Sequence, residues 1–344
     1  MRVRPGVLKQ VEVSRRAGGL KRGMGASDIT AGSLRRAGAT LDESLEGMLP
    51  MPVRSLMLCL LLCASVARGA PPLRVVYPAT ESRDDTRFDD LKEILRTALD
   101  ETAGDDGPYT LGASSRYVNE ARYLAEIRDG GGEANVVWSS TSEQKERDLL
   151  PIRFELRKGL LGYRVALIDR RRQADFDRVA TFADVKTLTI GQGIGWGDVA
   201  VYQAAGIRVS TAPYDDLFRM VANDRFDLFP RGVGEAFRER AAHRDEVPDL
   251  AVERGLLLYY PWPYYFFCNR ADTALAARIE RGLKRMRADG SFDRIFWKYN
   301  RSAIEQARMG ERRVIRIPNP LLPKATPLGD AGMWYDPKRD IPPN

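Results

Sequence analysis

Histidine and cysteine are scarce in this chain of 344 residues. His243 is the single histidine, and of the three cysteines Cys59 and Cys63 share one apolar run, which leaves Cys268 alone in the rest of the chain. One thiol cannot form an internal disulfide, and no Cys/His spacing typical of a metal site is present. A Ser-His-Asp or Cys-His mechanism would have to use His243, which stands in the charged segment Ala-Ala-His-Arg-Asp. We therefore expect no catalytic residues, no metal, no cofactor and no enzyme activity.

The folded part of the chain also lacks an excess of charge. The whole sequence has a formal net charge of +7, but residues 1–70 carry 11 Lys and Arg against 5 Asp and Glu. The remainder has 43 basic and 42 acidic residues. Since nucleic-acid binding normally requires a basic surface, we expect no nucleic-acid partner.

The apolar run that contains Cys59 and Cys63, residues 55–67, is shorter than a membrane-spanning helix requires. Residues 1–50 are rich in Gly, Arg and Ser without a sustained period, which predicts a disordered extension or a mis-annotated start. Residues 51–69 combine a short positive segment, an apolar centre and Ala67-Arg-Gly69, the pattern of a secretory signal peptide. We expect cleavage after Gly69 and a periplasmic protein. The alternative is a genuine disordered tail followed by an uncleaved anchor.

Strand and helix patterns alternate after the leader. Residues 73–77 read as a strand, residues 88–99 and 118–127 as amphipathic helices, and residues 134–138 as a buried strand. This order predicts an α/β fold with a mainly parallel sheet. Because ligands of such sheets lie at the carboxyl ends of strands, five residues become candidate ligand contacts: Tyr77, Trp138, Ser139, Ser140 and Thr141.

A glycine-rich loop follows the next predicted strand, residues 186–190. Its sequence, Gly191-Gln-Gly-Ile-Gly-Trp-Gly-Asp198, is neither a P-loop nor G-x-G-x-x-G, and a helix over residues 199–205 comes next. Free backbone N–H groups and a positive helix end suit an anion. We treat Gly193, Ile194 and Trp196 as candidate contacts, with a purely structural turn and a core tryptophan as the alternatives.

The stretch from Met286 to Tyr299 carries the most specific signal. A helical pattern ends at Asp289-Gly290, and a second helix rich in aromatic residues begins at once. This sequence pattern resembles the C-terminal signature of the family 3 extracellular solute-binding proteins, the periplasmic amino-acid-binding type. Three segments upstream occur in that family's order, so that the resemblance covers residues 73–300: residues 139–147, 191–198 and 223–229.

The resemblance implies a two-lobed, type II periplasmic-binding-protein-like fold with mixed, mainly parallel sheets and a hinge. Lobe 1 would comprise residues 70–162 and, after a return crossing, residues 259–300. Lobe 2 would comprise residues 163–258. The proline-rich tail, residues 301–344, should wrap a lobe as extended chain.

The resemblance also implies ligand contacts. Family members carry an Arg that grips the ligand's α-carboxylate, and Arg147 is the match by order, with Arg153 as the spare and a surface salt bridge as the alternative. The family also has a glycine turn at the position of Gly193 to Gly197, and its backbone N–H groups contact the same carboxylate. The Asp that usually pairs with the α-ammonium is missing, and Arg231 lies beside its place. A cation there would repel an ammonium group, which favours a ligand with two anionic ends or an uncharged one, unless Glu235 substitutes.

Together these features predict a monomeric periplasmic solute-binding protein. It would capture a small polar or anionic, amino-acid-like solute by hinge closure and deliver it to an ABC permease. The first alternative is a two-lobed sensory or interaction protein that has lost transport. A dehydrogenase using the glycine loop is the second, and the wrong glycine spacing counts against it.

Overall fold

The computed structural model describes residues 71–82 and 84–342. The predicted extension and signal peptide, residues 1–50 and 51–69, lie outside this part of the chain. None of the helices over 71–82 and 84–342 combines the length and the apolar character that crossing a membrane requires.

The first lobe begins with alternating strands and helices, as the sequence predicts. Its helix α1 buries Leu91, Ile94 and Leu95 on one face, the helical spacing seen in the sequence. The elements are β1 (Leu73–Tyr77), α1 (Asp89–Asp100), α2 (Ala103–Asp106), β2 (Tyr109–Ala113), α3 (Glu120–Asp129), β3 (Val136–Ser140), α4 (Glu143–Asp148) and β4 (Leu150–Ile152).

A 3-10 turn at Leu160–Gly162 leads into the second lobe. Its elements are β5 (Tyr163–Asp169), α5 (Gln173–Asp177), α6 (Phe182–Thr187), β6 (Thr189–Gly193), α7 (Asp198–Ala204), β7 (Arg208–Ala212), α8 (Tyr214–Ala222), β8 (Phe229–Gly232), α9 (Ala236–Ala242), β9 (Leu250–Val252) and β10 (Leu256–Tyr259).

The chain then returns to the first lobe and ends on the second. The returning elements are β11 (Tyr264–Cys268), α10 (Thr273–Asp289), α11 (Ser291–Gln306) and β12 (Arg313–Arg316). β11 lies between β3 and β4, antiparallel to both, so that the predicted return near Tyr260 is present. Helix α11 begins in the core of the first lobe with Phe292 and contributes Ile304 to the core of the second.

Each lobe has its own sheet and core, which confirms the predicted α/β class and the two-lobed arrangement. In lobe 1, β1 pairs with β2 in parallel, and the backbone and side chain of Asn135 bond to Arg74 and Val76 and so join β1 to the start of β3. In lobe 2 the main order is β12-β10-β5-β8, and a bridge from Ile190 to Leu228 connects β8 to the parallel pair β6–β7. Antiparallel ladders form wherever β5 and β11 run against their neighbours, so the sheets are mixed.

Local boundaries differ from the sequence prediction in several places. The buried strand predicted over residues 134–138 is β3, Val136–Ser140, so that Trp138 is its third residue and not its end. The predicted strand over residues 186–190 starts too early, because α6, which begins at the Thr181–Asp184 capping box, runs through Thr187 and the strand begins only at Thr189. The tail is not purely extended. Helix α11 continues past residue 300 to Gln306, and β12 then joins the lobe 2 sheet in parallel with β10.

Candidate functional site

Aromatic rings gather around the end of β1 and the middle of β3. Tyr77 ends β1, and its ring lies 5.7 Å from that of Trp138 in β3. The Phe88 ring lies 5.5 Å from Trp138 on its other side. The two candidates Tyr77 and Trp138 are therefore neighbours, although Trp138 is the third of the five residues of β3 and not its end, where the sequence predicted it.

A cavity of about 180 Å³ opens beside these rings. Its walls carry four aromatic side chains, three carboxylates and one guanidinium: Phe88, Tyr117, Tyr123, Trp138, Glu81, Asp85, Glu120 and Arg87. We call this the aromatic–acidic cavity. Sequence reasoning identified only Trp138 among its side chains as a ligand contact, because the sequence between β1 and α1 has no periodicity that marks Glu81, Asp85 and Arg87.

The acids of the aromatic–acidic cavity outnumber its cation. Arg87 donates to Asp85 through Nε and Nη2, each at 2.8 Å, and to Glu81 at 2.7 Å. The hydrogen bond from Arg87 holds the pKa of the Asp85 carboxyl well below its usual range. Two carboxylates, those of Asp85 and Glu81, thus share a single guanidinium.

Glu120 is the third acid, and it connects the cavity to the predicted serines. Ser139 donates to Glu120 Oε1 at 2.5 Å, and Lys145 Nζ lies 3.0 Å from the same oxygen. Lys145 also donates to the Ser139 hydroxyl and to the Ser140 carbonyl oxygen. Ser139 and Ser140 thus hold Lys145 and Glu120 in place, while the hydroxyl of Thr141 donates to Glu146 at 2.7 Å.

Arg147 lies outside this cavity. Its side chain on α4 is 60% exposed, lies 3.4 Å from Glu143 and donates to Gln144 at 2.8 Å. Arg153, the spare candidate, forms an ion pair with Glu146 at 2.6 Å. The structure thus places Arg147 in a surface ion pair, a kind of contact worth about 0–1 kcal/mol, and a carboxylate-binding role for it stays a prediction.

The glycine loop of lobe 2 folds back on itself. Gly195 has a φ of 80°, and a β-carbon on Gly193 would lie 2.3 Å from the Trp196 ring. The Trp196 ring therefore covers Gly193 and stacks on Phe229 at 6.2 Å. Ile194, at the tip of the loop, is 67% exposed.

Arg231 is buried beneath Trp196, and its charge is paired. Its guanidinium carbon lies 4.6 Å from the Trp196 ring centre. Glu239 accepts from Arg231 Nε and Nη2 at 2.6 and 2.7 Å, and Glu235 lies 3.2 Å away. Burial alone would lower the pKa of Arg231, but the hydrogen bond to Glu239 and the charge of Glu235 leave it raised. Two carboxylates around one guanidinium remove the expected repulsion of an ammonium group.

A carboxylate of the chain itself occupies the start of α7, where the sequence suggested a bound anion. Asp198 Oδ2 accepts from the Tyr260 hydroxyl at 2.6 Å and lies 2.8 Å from Arg164 Nη2. Arg164 Nε also donates to the Tyr260 oxygen at 2.7 Å. Because Arg164 is the second residue of β5 and Tyr260 follows β10, this network attaches the glycine loop to both crossings between the lobes.

The crossings meet again at Glu155, which is fully buried. Its carboxylate accepts from the backbone N–H groups of Arg157, Gly159 and Tyr264 at 2.8, 2.6 and 3.1 Å. Burial raises the pKa of Glu155 to about 8, against the opposing effect of these three N–H groups. One titratable side chain thus joins the first crossing to the return crossing.

A second cavity, of about 440 Å³, lies at the end of β8. It is bordered by the 3-10 turn before β5, by the loop over residues 232–235 and by α11. Arg164, Glu235 and Arg238 supply its charged side chains. The candidates in the glycine loop do not line it.

No family model matches the chain. No curated protein matches it either. Solved structures do. An ancestral arginine-binding protein bound to glutamine is 16% identical over 67% of this chain and 99% of its own, with a TM-score of 0.41. The substrate-binding protein of an amino acid ABC transporter is 13% identical over 67% of this chain and 100% of its own, with a TM-score of 0.37. A Bacillus subtilis protein is 14% identical over 66% of this chain and 89% of its own, with a TM-score of 0.45. The first two are named as the kind of protein that the sequence resembles.

Proposed function

We propose that this protein binds a small organic solute that carries a cationic group, with the aromatic–acidic cavity as the contact surface of lobe 1. The observation that carries the proposal is the composition of the cavity: four aromatic side chains, three carboxylates and one arginine around about 180 Å³. Aromatic faces attract cations. Lys145 pairs with Glu120, so three carboxylates face two cations, Arg87 and Lys145, and one negative charge remains in excess.

The aromatic rings at this site already lie beside cations of the chain. The guanidinium carbons of Arg87 and Arg157 lie 5.7 and 5.8 Å from the centre of the Phe88 ring. An ammonium or guanidinium group of a solute would meet the same kind of surface together with Glu120. The preference for an anionic solute rested on Arg231, whose charge is paired with Glu239 and Glu235.

Reversible binding without covalent chemistry is part of the proposal. The His243 ring stacks on Phe218 with ring centres 3.8 Å apart, and burial raises the pKa of the Cys268 thiol above its usual range. Both side chains are therefore engaged in packing. Within residues 71–82 and 84–342, no group of three or more His, Cys, Asp and Glu is placed to hold a metal ion.

A screen by thermal unfolding tests the proposal. A ligand that binds only the folded state stabilises it by about 2.7 kcal/mol at one hundred times its dissociation constant. We expect cationic amino acids and small diamines to raise the Tm of the wild-type protein, and dicarboxylates to leave it unchanged. A shift with dicarboxylates alone, or with no solute of either class, would contradict the proposal.

Periplasmic delivery of the solute to an ABC permease is the cellular role that we propose. It rests on the leader sequence and on the family resemblance. The mass of the protein recovered from a periplasmic fraction should correspond to a chain that begins at Ala70. A chain that retains residues 51–69 would instead support the uncleaved anchor.

A sensory or interaction role is the second candidate, because the charged side chains near the strand ends of lobe 2 are paired with other side chains of the protein itself. Arg231 is paired with Glu239, and Asp198 is held by Arg164 and Tyr260. A protein that reports rather than transports would need the same solute site, so the unfolding screen applies to both roles. Genetic disruption of a co-transcribed permease, followed by solute uptake, separates them.

A further inference from the structure

The segment after α11 contacts both lobes and both crossings between them. Its first part belongs to lobe 2, where β12 pairs with β10 from Leu256–Arg313 to Tyr259–Arg316. The next residues follow the return crossing. Ile317 N–H donates to the Tyr259 oxygen at 2.7 Å, and Asn319 Nδ2 donates to the Pro261 oxygen at 2.9 Å.

The same segment then reaches lobe 1. Asp330 forms a two-fold ion pair with Arg287 of α10, with oxygen–nitrogen distances of 2.6 and 2.7 Å. Met333 packs against the core of lobe 1. Two residues further on, Tyr335 belongs to the core of lobe 2.

Between these attachments the segment contacts the first crossing. Tyr335 N–H donates to the Lys158 oxygen at 2.7 Å, and the Tyr163 hydroxyl donates to the Tyr335 oxygen at 2.8 Å. The Trp334 ring covers Gly159 so closely that a β-carbon there would lie 2.5 Å from it. Trp334 is itself fixed by a hydrogen bond from its indole N–H to the Pro327 oxygen at 2.9 Å.

We propose that residues 313–336 form a strap that fixes the angle between the two lobes. Hinge closure moves the lobes relative to each other at the two crossings. A segment attached to both lobes and to both crossings must either move with them or detach at one end. The strap therefore limits closure on a solute until one of its attachments is released.

The Arg287–Asp330 pair is the attachment that releases first. Both side chains are more than a third exposed, at 39% and 35%, and such pairs are weak in water. The Trp334–Tyr335 attachment is buried and apolar, so that detaching it exposes two aromatic rings to water. Opening of the strap thus begins at lobe 1.

The distance between the lobes tests the strap without any solute, so that its failure is distinct from failure of the proposed function. Spin labels at R128C in lobe 1 and R244C in lobe 2, in a C59S/C63S background of the full chain, report this distance, because Cys268 is buried and stays unlabelled. We expect a narrow distribution for the wild-type strap and a clearly broader one for Asp330→Lys and for Trp334→Ala. Exchanging the charges, R287D with D330R, should restore the narrow distribution.

Glu280→Gln is the matched control. Glu280 lies on the same helix as Arg287 and forms an exposed ion pair with Lys284, which is not a residue of the strap. It should leave the distribution narrow. If Asp330→Lys and Trp334→Ala both keep the wild-type distribution, or if Glu280→Gln broadens it as much as they do, the strap does not set the angle.

Discussion

Glu155 shows how one residue can make the crossings between the lobes sensitive to pH. Its folded pKa of about 8 lies above the usual value of 4.5. A carboxyl group with a raised folded pKa binds its proton more tightly in the folded state, so its contribution to stability is full below pH 4.5. That contribution is lost as the pH rises through about 8.

We predict that Glu155→Gln removes this dependence. The amide of the variant cannot ionise, but it presents an N–H₂ group to one of the three backbone donors and so lowers stability at every pH. The measurement is the free energy of unfolding of both proteins between about pH 5 and pH 8, the range in which the carboxyl group titrates. The advantage of the wild-type protein over the variant should shrink as the pH rises. A constant difference would mean that Glu155 does not titrate in this range.

At the residue scale, the sequence predicted which candidate residues lie close together where neighbouring strands determine their positions. Tyr77 and Trp138 were placed together because both were expected at strand ends. Their rings are 5.7 Å apart, although only Tyr77 ends its strand and Trp138 lies in the middle of β3. The pairing of Arg231 with Glu239 was not predictable from the sequence, because α9 has only seven residues and no pattern that directs one side chain towards β8. The role of Glu120 was missed for a related reason, since a first-turn Glu after the cap Asn119 is common on helix surfaces.

At the scale of elements, α1 and α10 hold the first lobe together through a backbone contact. A β-carbon on Gly282 would lie 1.9 Å from the Ala98 carbonyl oxygen, so only glycine allows the two helices to approach this closely. The helices carry the core residues Leu95, Leu99, Ile279 and Leu283. Any widening of the contact therefore weakens the packing below the sheet.

We predict that Gly282→Ala lowers the free energy of unfolding by about 1–3 kcal/mol or more, the range for forcing extra atoms into a packed interior. Gly104→Ala in α2 is the control, since nothing lies within 4 Å of the β-carbon that it adds. The control should match or slightly exceed the wild-type stability. Equal loss in both variants, measured by chemical denaturation, would show that the helix contact is not responsible.

Element types were more predictable than element ends. The strand predicted over residues 186–190 was placed too early, because a strand former such as Thr187 can also lie in the last turn of a helix, as it does in α6. The chain before β5 forms a 3-10 turn at Leu160–Gly162, and a β-carbon on Gly162 would lie 2.0 Å from the Tyr260 carbonyl oxygen.

At the scale of the whole molecule, function depends on how the lobes are connected. Two crossings, helix α11 and the strap all pass between them, and Glu155 and the Arg164–Asp198–Tyr260 network lie at the crossings. The sequence resemblance predicted the crossings and the return. It did not predict the strap, because a proline-rich tail without periodicity gives no sign of where it packs.

Calorimetric titration of the best cationic solute from the unfolding screen, into the wild-type protein, Glu120→Gln and Glu143→Gln, is the most direct test of the central claim. Glu120 lines the aromatic–acidic cavity, whereas Glu143 on the neighbouring helix is exposed and outside it. A hydrogen bond to a charged group contributes about 1.5–3 kcal/mol, so Glu120→Gln should weaken binding by roughly 10- to 100-fold. Glu143→Gln should bind like the wild type. Unchanged affinity in Glu120→Gln would contradict binding in this cavity.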